Sequence, residues 1–152
     1  MRMTGRKVAV VVGSETDLGL GEEAATTLRD FGVAAEIRVI SAHRNPRTLD
    51  EYVMSSDAEV FLAIAGLSAA LPGAIAARTT KPVIGVPRSV KLGGLDSLLS
   101  MVQMPTGVPV ACVGIDSAKN AALLAVEILA VGDRELSEKL EAYRSRLQGS
   151  QC

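Results

Sequence analysis

The chain has 152 residues, which suffices for one domain with a single sizeable core and is short for two. Sixteen basic and seventeen acidic residues leave a formal net charge of -1, and aromatic residues make up only 3%. Because neither a basic surface nor aromatic platforms for stacking bases are available, we expect no nucleic-acid partner. Hydrophobic residues make up 48% without any tryptophan, so the core must consist of Val, Ile, Leu and Ala.

The chain is expected to be soluble and cytoplasmic, with no membrane partner. No apolar segment reaches the roughly 18 residues that a membrane-spanning helix needs. The basic residues 1–7 precede only the short apolar run 8–12, whereas the hydrophobic region of a signal peptide has roughly 7–15 residues. Cys112 and Cys152 lack the spacing of disulfide or metal-ligand sets, so both are expected to be plain thiols.

Short apolar runs alternate with helix-like segments along the chain. Five runs are β-branched and bounded by Gly, Pro or Ser, and we predict buried strands at residues 7–12, 35–40, 59–65, 82–86 and 108–113. The segments between and after them contain good helix formers at helical spacing. They predict helices at residues 18–31, 46–55, 69–78, 95–102 and 117–130.

Five strand–helix units in succession predict a three-layer, doubly wound α/β fold, in which helices cover both faces of a parallel sheet of about five strands. A further amphipathic helix is predicted at residues 134–147, and it either closes the domain or packs on a neighbouring subunit. Its apolar stripe consists of Leu136, Leu140, Tyr143 and Leu147. We expect one catalytic domain over residues 1–152, with its core at about 7–130 and a disordered tail from Gly149 onward.

The only histidine, His43, follows the second predicted strand in the segment Ser-Ala-His-Arg-Asn-Pro, residues 41–46. Ligands of parallel sheets bind beyond the carboxyl ends of the strands, where such loops gather. Imidazole exchanges protons readily near neutral pH, and Arg44 is suited to bidentate binding of a carboxylate or phosphate. His43 is therefore the candidate proton carrier. The alternative is a surface histidine that caps a helix or bonds to the backbone, with Arg44 as a solvated surface charge.

Three other loops follow predicted strands. Residues 13–17, Gly-Ser-Glu-Thr-Asp, could cradle a phosphate at a helix N-terminus, or Ser14, Thr16 or Asp17 could simply cap that helix. Residues 65–73 are small and nearly uncharged, so their backbone could approach a ligand, or could only permit tight helix–strand packing. The fourth loop, before the helix at 95–102, is polar and contains glycines, as a mobile loop would.

Together these segments resemble the 5-(carboxyamino)imidazole ribonucleotide mutase family of purine biosynthesis. The family's G-S-x-S-D occurs at residues 13–17 with threonine for the second serine, and its S-A-H-R-x-P is intact at 41–46. Residues 94–105 and 118–125 are almost unaltered relative to the family. The resemblance spans roughly residues 8–143 and preserves the order and spacing of several motifs.

The resemblance implies a homo-octamer of flavodoxin-like subunits that moves a carboxyl group from the exocyclic nitrogen to C4 of an aminoimidazole ribonucleotide. It implies no cofactor and no metal. By residue-by-residue transfer, His43 is the general acid and base. Ser14 and Asp17 then bind the ribose-phosphate portion of this small-molecule substrate, and Arg44 binds phosphate or carboxylate. The other implied substrate-binding residues are Ser41, Ala42, Ala65, Gly66, Ser68 and Leu71, with the amides around Ala65 and Gly66 helping to hold CO2 and the ring.

Two departures from the family concern the chemistry of the site. The third loop of the family reads A-G-x-A-A-H-L-P-G, and Ala70 replaces its second histidine, while Arg88 stands where valine is typical. A positioned proton-transfer group is worth about 10²–10⁴ in rate, so the loss could slow or redirect the reaction. A direct CO2-using carboxylase of the same superfamily stays open, although those enzymes generally have S-A-H-K. A third alternative is a paralogue that binds a nucleotide without turnover or acts on another aromatic ribonucleotide.

Overall fold

The computed structural model describes residues 5–149. The strands in this range are β1 Lys7–Val12, β2 Ala34–Val39, β3 Val60–Ala65, β4 Val83–Pro87 and β5 Ala111–Cys112. They form one parallel sheet in the order β2-β1-β3-β4-β5. The α-helices are α1 Leu18–Asp30, α2 Pro46–Ser55, α3 Leu71–Ala76, α4 Leu95–Val102, α5 Ala118–Ala130 and α6 Arg134–Gly149. The predicted doubly wound α/β fold is confirmed.

The two faces of the sheet pack against different helices, because successive side chains of a strand point to opposite faces. In β1, Val8, Val10 and Val12 belong to a core shared with α1, α5 and α6. Ala9 and Val11 of the same strand belong to a core shared with α2, α3 and α4. The result is three layers with the sheet in the middle. Within residues 5–149, no helix has the length and apolar content needed to cross a membrane.

The C-terminal helix α6 closes the core on the α1 and α5 side. Leu136 is fully buried, and Leu140 and Tyr143 pack partly buried against the same core. The Tyr143 ring meets Phe31 edge to face, with ring centroids 5.6 Å apart. Leu147, the last residue of the predicted stripe, is exposed. The sequence left two alternatives open, and α6 packs on its own domain.

Several predicted boundaries are wrong. The strand predicted at 108–113 is reduced to β5, because Pro109 has no backbone N–H and the Val108 amide donates to Pro105 O at 3.2 Å in a turn. The helix predicted at 69–78 is reduced to α3, since Ala69 has a φ of 39°, outside the helical region. The remaining boundaries agree to within two residues.

Two further expectations are corrected. The strands β2 and β5 are not buried, because each lies at an edge of the sheet with a strand on only one side. Gly149 ends α6 rather than starting a disordered tail, and the rest of that predicted tail, including Cys152, lies outside the described residues. Cys112 is a free thiol whose pKa is raised by burial, which agrees with a plain rather than reactive cysteine.

Candidate active site

The centre of the sheet provides the position of the site. Val12 of β1 pairs with Val39 of β2 and with Ile64 of β3, so these strands end at the same edge. The chain passes from β1 to β2 on one side and then to β3 on the other, which makes this the topological switch point where ligands of such sheets bind. A cavity of about 430 Å³ lies there, surrounded by the loops that follow β1, β2, β3 and β4.

The cavity brings together every residue that the sequence nominated for the site. They are Ser14 and Asp17 from the first loop, Ser41, Ala42, His43 and Arg44 from the second, and Ala65, Gly66, Ser68 and Leu71 from the third. Other lining residues were not nominated, namely Gly13, Thr16, Leu67, Ala69, Ala70, Arg88 and Val90. The signal that could have found most of the latter is their position, since they too follow directly after buried strands.

The first loop is shaped by Ser14. Its Oγ accepts a hydrogen bond from the Thr16 amide at 3.4 Å and another from the Thr16 hydroxyl at 3.1 Å. Ser14 thereby caps the short 3₁₀ turn Glu15–Asp17, which leads directly into α1. Capping was one of the two predicted roles for this loop. Because Ser14 and Thr16 also line the cavity, the phosphate-binding role stays compatible with the same geometry.

The second loop presents His43 to the cavity. The Asn45 amide donates to Ser41 O at 2.9 Å, and the Arg44 amide donates to Ser41 Oγ at 3.2 Å, so the loop forms a compact turn before α2. The His43 side chain is exposed and makes no hydrogen bond to any residue from 5 to 149. It neither caps a helix nor bonds to the backbone. Both ring nitrogens are therefore available to a ligand in the cavity.

The third loop approaches the cavity with backbone rather than charge. A Cβ on Gly66 would lie 2.6 Å from Val90 Cγ2, so the absence of a side chain at Gly66 allows the third and fourth loops to approach closely without a shift of Val90. Leu67 and Ala69 have left-handed φ angles of 57° and 39°. For residues other than glycine such angles cost of order 1–3 kcal/mol each and cluster at functional sites. Ala70 contributes a methyl group to the cavity wall.

Arg88, the first residue after β4, forms an ion pair inside this cavity. Its Nε lies 2.9 Å from Oδ1 of Asp17, whose residue is only 4% exposed. Burial raises the pKa of the Asp17 carboxyl, while the nearby Arg88 guanidinium and the Ser14 backbone oppose the rise. The sequence marked Arg88 only as a departure from the family's valine.

The charges of the cavity favour an anionic ligand. Arg44 and Arg88 each contribute a positive charge and Asp17 a negative one, which leaves the wall net positive with His43 neutral. Guanidinium groups bind carboxylates and phosphates through two parallel hydrogen bonds. Within residues 5–149 there is no group of three or more His, Cys, Asp or Glu side chains that could hold a metal ion.

A wider groove of about 980 Å³ lies at the opposite edge of the sheet, where β4 and β5 begin. Its two long basic side chains are already engaged, since Arg78 pairs with Asp50 and Lys81 donates to Ser56 O at 2.9 Å. No histidine lines the groove, and it lies away from the carboxyl ends of the strands. The smaller cavity around His43 is therefore the candidate active site.

Comparison with known proteins shows the family of the chain. The profile of a family described as AIR carboxylase matches residues 7–150. The chain belongs to the AIR carboxylase family. This confirms the family predicted from the motifs at residues 13–17 and 41–46.

Relatives within the family cover most of the chain. The N5-carboxyaminoimidazole ribonucleotide mutase of Methanocaldococcus jannaschii is 55% identical over 141 residues, which are 93% of this chain and 90% of the relative. The mutase of the same name from Mycobacterium tuberculosis is 47% identical over 145 residues, 93% of this chain and 83% of the relative. The crystal structure of Treponema denticola PurE superposes with a TM-score of 0.85 at 31% identity, covering 95% of this chain and 93% of that one.

Proposed function

We propose that this chain is an N5-carboxyaminoimidazole ribonucleotide mutase. It is an isomerase of de novo purine biosynthesis that moves a carboxyl group from the exocyclic nitrogen to C4 of 5-aminoimidazole ribonucleotide (AIR). The observation that carries the proposal is the identity of 45–55% with mutases of that name, over more than nine-tenths of the chain. The cavity that contains His43 and Arg44 supports it with suitable chemistry.

In the proposed reaction the carbamate first loses CO2, which requires a proton at the exocyclic nitrogen. The electron-rich ring then attacks the retained CO2 through C4, and the C4 proton is removed, so one proton is gained and one is lost. His43 supplies the first proton as a general acid and takes the second as a general base. Its exposed, unbonded imidazole at the mouth of the cavity suits a group that must serve two positions in turn.

Nucleotide binding in this proposal is divided among the loops. Ser14 and Asp17 bind the ribose-phosphate portion, beside the start of α1, where the helix dipole favours an anion. Arg44 binds the phosphate or the carboxylate. The net positive cavity wall suits a substrate that carries both groups. The residues proposed to surround the ring and the CO2 are Ser41, Ala42, Ala65, Gly66, Ser68 and Leu71.

Ala70 favours testing two alternative functions. Because the family's second histidine is missing, the alternatives to the mutase are a carboxylase that takes CO2 directly and a nucleotide-binding paralogue. Purified protein is to be given the carbamate nucleotide in one assay and AIR with bicarbonate in another, while the absorbance of the C4-carboxylated product is followed. Product from the carbamate supports the mutase. Product only with bicarbonate supports the carboxylase, and nucleotide binding without product supports the paralogue.

We also propose that the chain assembles as a homo-octamer. Leu95, Leu99 and Val102 lie on one stripe of α4, at intervals of four and three residues, and each is about half exposed. Leu92, just before α4, is 78% exposed. An apolar surface of this kind supports contact with another copy. Light scattering should give a mass of eight 15.8 kDa chains, and a monomeric mass would contradict the proposal.

A cytoplasmic location follows from the proposed pathway, because the substrate is a charged ribonucleotide that does not cross membranes freely. Cell fractionation with an antibody against the chain would test this expectation. Recovery of the protein in the membrane or secreted fraction would contradict it.

A further inference from the structure

The ion pair between Arg88 and Asp17 is unlike the surface ion pairs of this chain. Arg78 pairs with Asp50 at the same 2.9 Å, but those side chains are 45% and 37% exposed. The side chains of Arg88 and Asp17 are 28% and 5% exposed. A buried carboxylate is costly without a partner, and removing one member of such a pair leaves an uncompensated charge. Asp17 therefore depends on Arg88 far more than Asp50 depends on Arg78.

The backbone around Arg88 is held from three sides. Its amide donates to Ala65 O at 3.0 Å, and its carbonyl accepts from Ser97 Oγ at 2.9 Å. The next amide, of Ser89, donates to Asp116 Oδ1 at 2.9 Å. The start of the Arg88 side chain is thus fixed relative to β3, α4 and the loop after β5. A guanidinium delivered from a fixed backbone can hold a carboxylate in one orientation.

The second carboxylate oxygen of Asp17 lies close to another residue of the cavity wall. Oδ1 is occupied by Arg88, whereas Oδ2 lies 3.9 Å from the position of a Cβ on Gly13, a residue of the cavity wall. An ionised carboxylate has about four acceptor sites, so the interactions with Arg88, the Ser14 backbone and the Thr16 side chain leave capacity for a further hydroxyl donor. The amide of Asp17 donates to Ser14 O at 3.0 Å, which fixes the backbone from which this side chain extends.

We propose that Arg88 is a positioning residue, which holds the Asp17 carboxylate in the orientation that accepts hydrogen bonds from the ribose hydroxyls of the bound nucleotide. This inference rests on the proposed function in so far as the ligand is a ribonucleotide. Arg88 acts through Asp17 and does not touch the reacting atoms. Its loss should therefore weaken nucleotide binding more than it lowers kcat.

The test compares Arg88→Met and Arg88→Lys with the matched control Arg78→Met, which removes a surface ion pair of the same length. Titration of the Asp17 carboxyl by ¹³C NMR needs no ligand. We expect Arg88→Met to move this titration to higher pH, because burial then raises the pKa of Asp17 with less opposition. Arg88→Lys should restore part of the wild-type titration, and Arg78→Met should leave it unchanged. An unchanged titration in Arg88→Met would overturn the inference.

Binding is measured by calorimetry with two probes, AIR and ribose 5-phosphate, which lacks the imidazole ring. Charge-assisted hydrogen bonds are roughly twice as strong as neutral ones. We therefore expect Arg88→Met to lower the affinity for both probes about tenfold or more. The loss should be larger at lower pH, where more Asp17 is protonated. In an Asp17→Asn background, Arg88→Met should have little further effect. Equal losses in both backgrounds would mean that Arg88 does not act through Asp17.

The two probes separate failure of this inference from failure of the proposed function. If the wild-type protein binds ribose 5-phosphate but not AIR, the proposed function is wrong. The inference then holds only if Arg88→Met weakens the binding of ribose 5-phosphate. If the wild type binds neither probe, both are overturned. If both probes bind equally well to wild type and Arg88→Met, the inference alone is wrong. Circular dichroism of each variant checks that the fold is intact, and Arg88→Lys replaces Arg88→Met if the latter fails to fold.

Discussion

Arg44 donates a hydrogen bond from Nη2 to the carbonyl oxygen of Gly13 at 3.3 Å. The contact joins the loop after β2 to the loop after β1 across the mouth of the candidate active site. The same guanidinium lines the cavity in which we propose a phosphate or carboxylate. If Arg44 also binds the anion, as we propose, the planar fork of arginine suits it better than a point charge, because one guanidinium can then serve both contacts.

Arg44→Lys keeps the charge and removes the fork. Hydrogen bonds to charged groups contribute about 1.5–3 kcal/mol, so we expect KM for the carbamate nucleotide to rise roughly tenfold to a hundredfold, with a smaller change in kcat. Steady-state kinetics measures both constants. Arg47→Lys is the control, since Arg47 is exposed on α2 and does not line the cavity. Equal effects of the two substitutions would argue against a binding role for Arg44.

His43→Asn should lower turnover of the carbamate nucleotide by about a hundredfold or more, because a positioned acid or base contributes about 10²–10⁴ in rate. The fold and the assembly should stay intact, as judged by circular dichroism and light scattering, since His43 makes no hydrogen bond to the rest of residues 5–149. Asn45→Ala is the control in the same loop, where the Asn45 side chain makes no capping hydrogen bond. Retention of more than about a tenth of the rate would exclude a general acid–base role for His43.

Ala70→His restores the group that the family has in the third loop. Ala70 is half-buried and lines the cavity, so a side chain there can reach bound substrate. We expect kcat of the mutase reaction to rise about tenfold or more if a second proton carrier limits the wild type. Ala70→Asn occupies comparable space without exchanging protons near neutrality. If histidine and asparagine change kcat equally, the position affects the shape of the cavity rather than proton transfer.

Gly94→Ala should destabilise the protein more than Gly93→Ala, although both residues have left-handed φ angles of 84° and 61°. The angle alone costs about 1–2 kcal/mol for alanine. A Cβ on Gly94 would also lie 2.7 Å from Ile115 Cγ2 and 3.2 Å from Ser89 Cα, whereas one on Gly93 has nothing within 4 Å. We therefore expect a difference of roughly 1–3 kcal/mol between the two variants in urea unfolding. Equal free energies of unfolding would show that the Gly94 contact relaxes without cost.

The loss of stability at low pH should depend on Lys7, which donates a hydrogen bond to Asp57 and forms a 3.0 Å ion pair with Glu36. These contacts lower the pKa of Glu36 below its ordinary 4.5 and that of Asp57 below 3.8. The stability contributed by a carboxyl with a lowered pKa is present above its ordinary value and is lost as the pH falls through the lowered one. The same contacts raise the pKa of Lys7 above 10.5, so its contribution is lost only as the pH rises past that value.

Lys7→Met should therefore lose less stability than wild type when the pH is lowered from about 7 to about 3. Thermal unfolding at both pH values measures the two losses. The raised pKa of Asp17 has the opposite sign, but it contributes equally to both proteins and cancels in the comparison. Lys119→Met is the control, because Lys119 is exposed and has no ion pair within residues 5–149. If Lys119→Met reduces the loss of stability at low pH as much as Lys7→Met does, the contacts of Lys7 are not its cause.

Local patterns in the sequence were sufficient for the main elements and for most of the site. Apolar runs of strand length alternate with helical spacing, and that alternation is encoded in neighbouring residues, so β1, α2 and α4 were predicted with their observed bounds. Parallel strands place their loops at one edge, which is why residues from three separate motifs could be expected to meet. The structure brings those motifs around one cavity.

The tertiary structure alone decided the features that depend on packing between distant segments. The edge positions of β2 and β5 leave them partly exposed, whereas the sequence predicts buried strands at both places. Arg88 faces Asp17 because the loops after β1 and β4 converge, and no spacing along the chain specifies that contact. The sequence by itself thus determined the main elements and the candidate residues of the site, because local periodicity and motifs are encoded in neighbouring residues. Burial and the distances between loops decided that the Asp17 carboxylate faces the Arg88 guanidinium, because both depend on packing between segments that are distant in the chain.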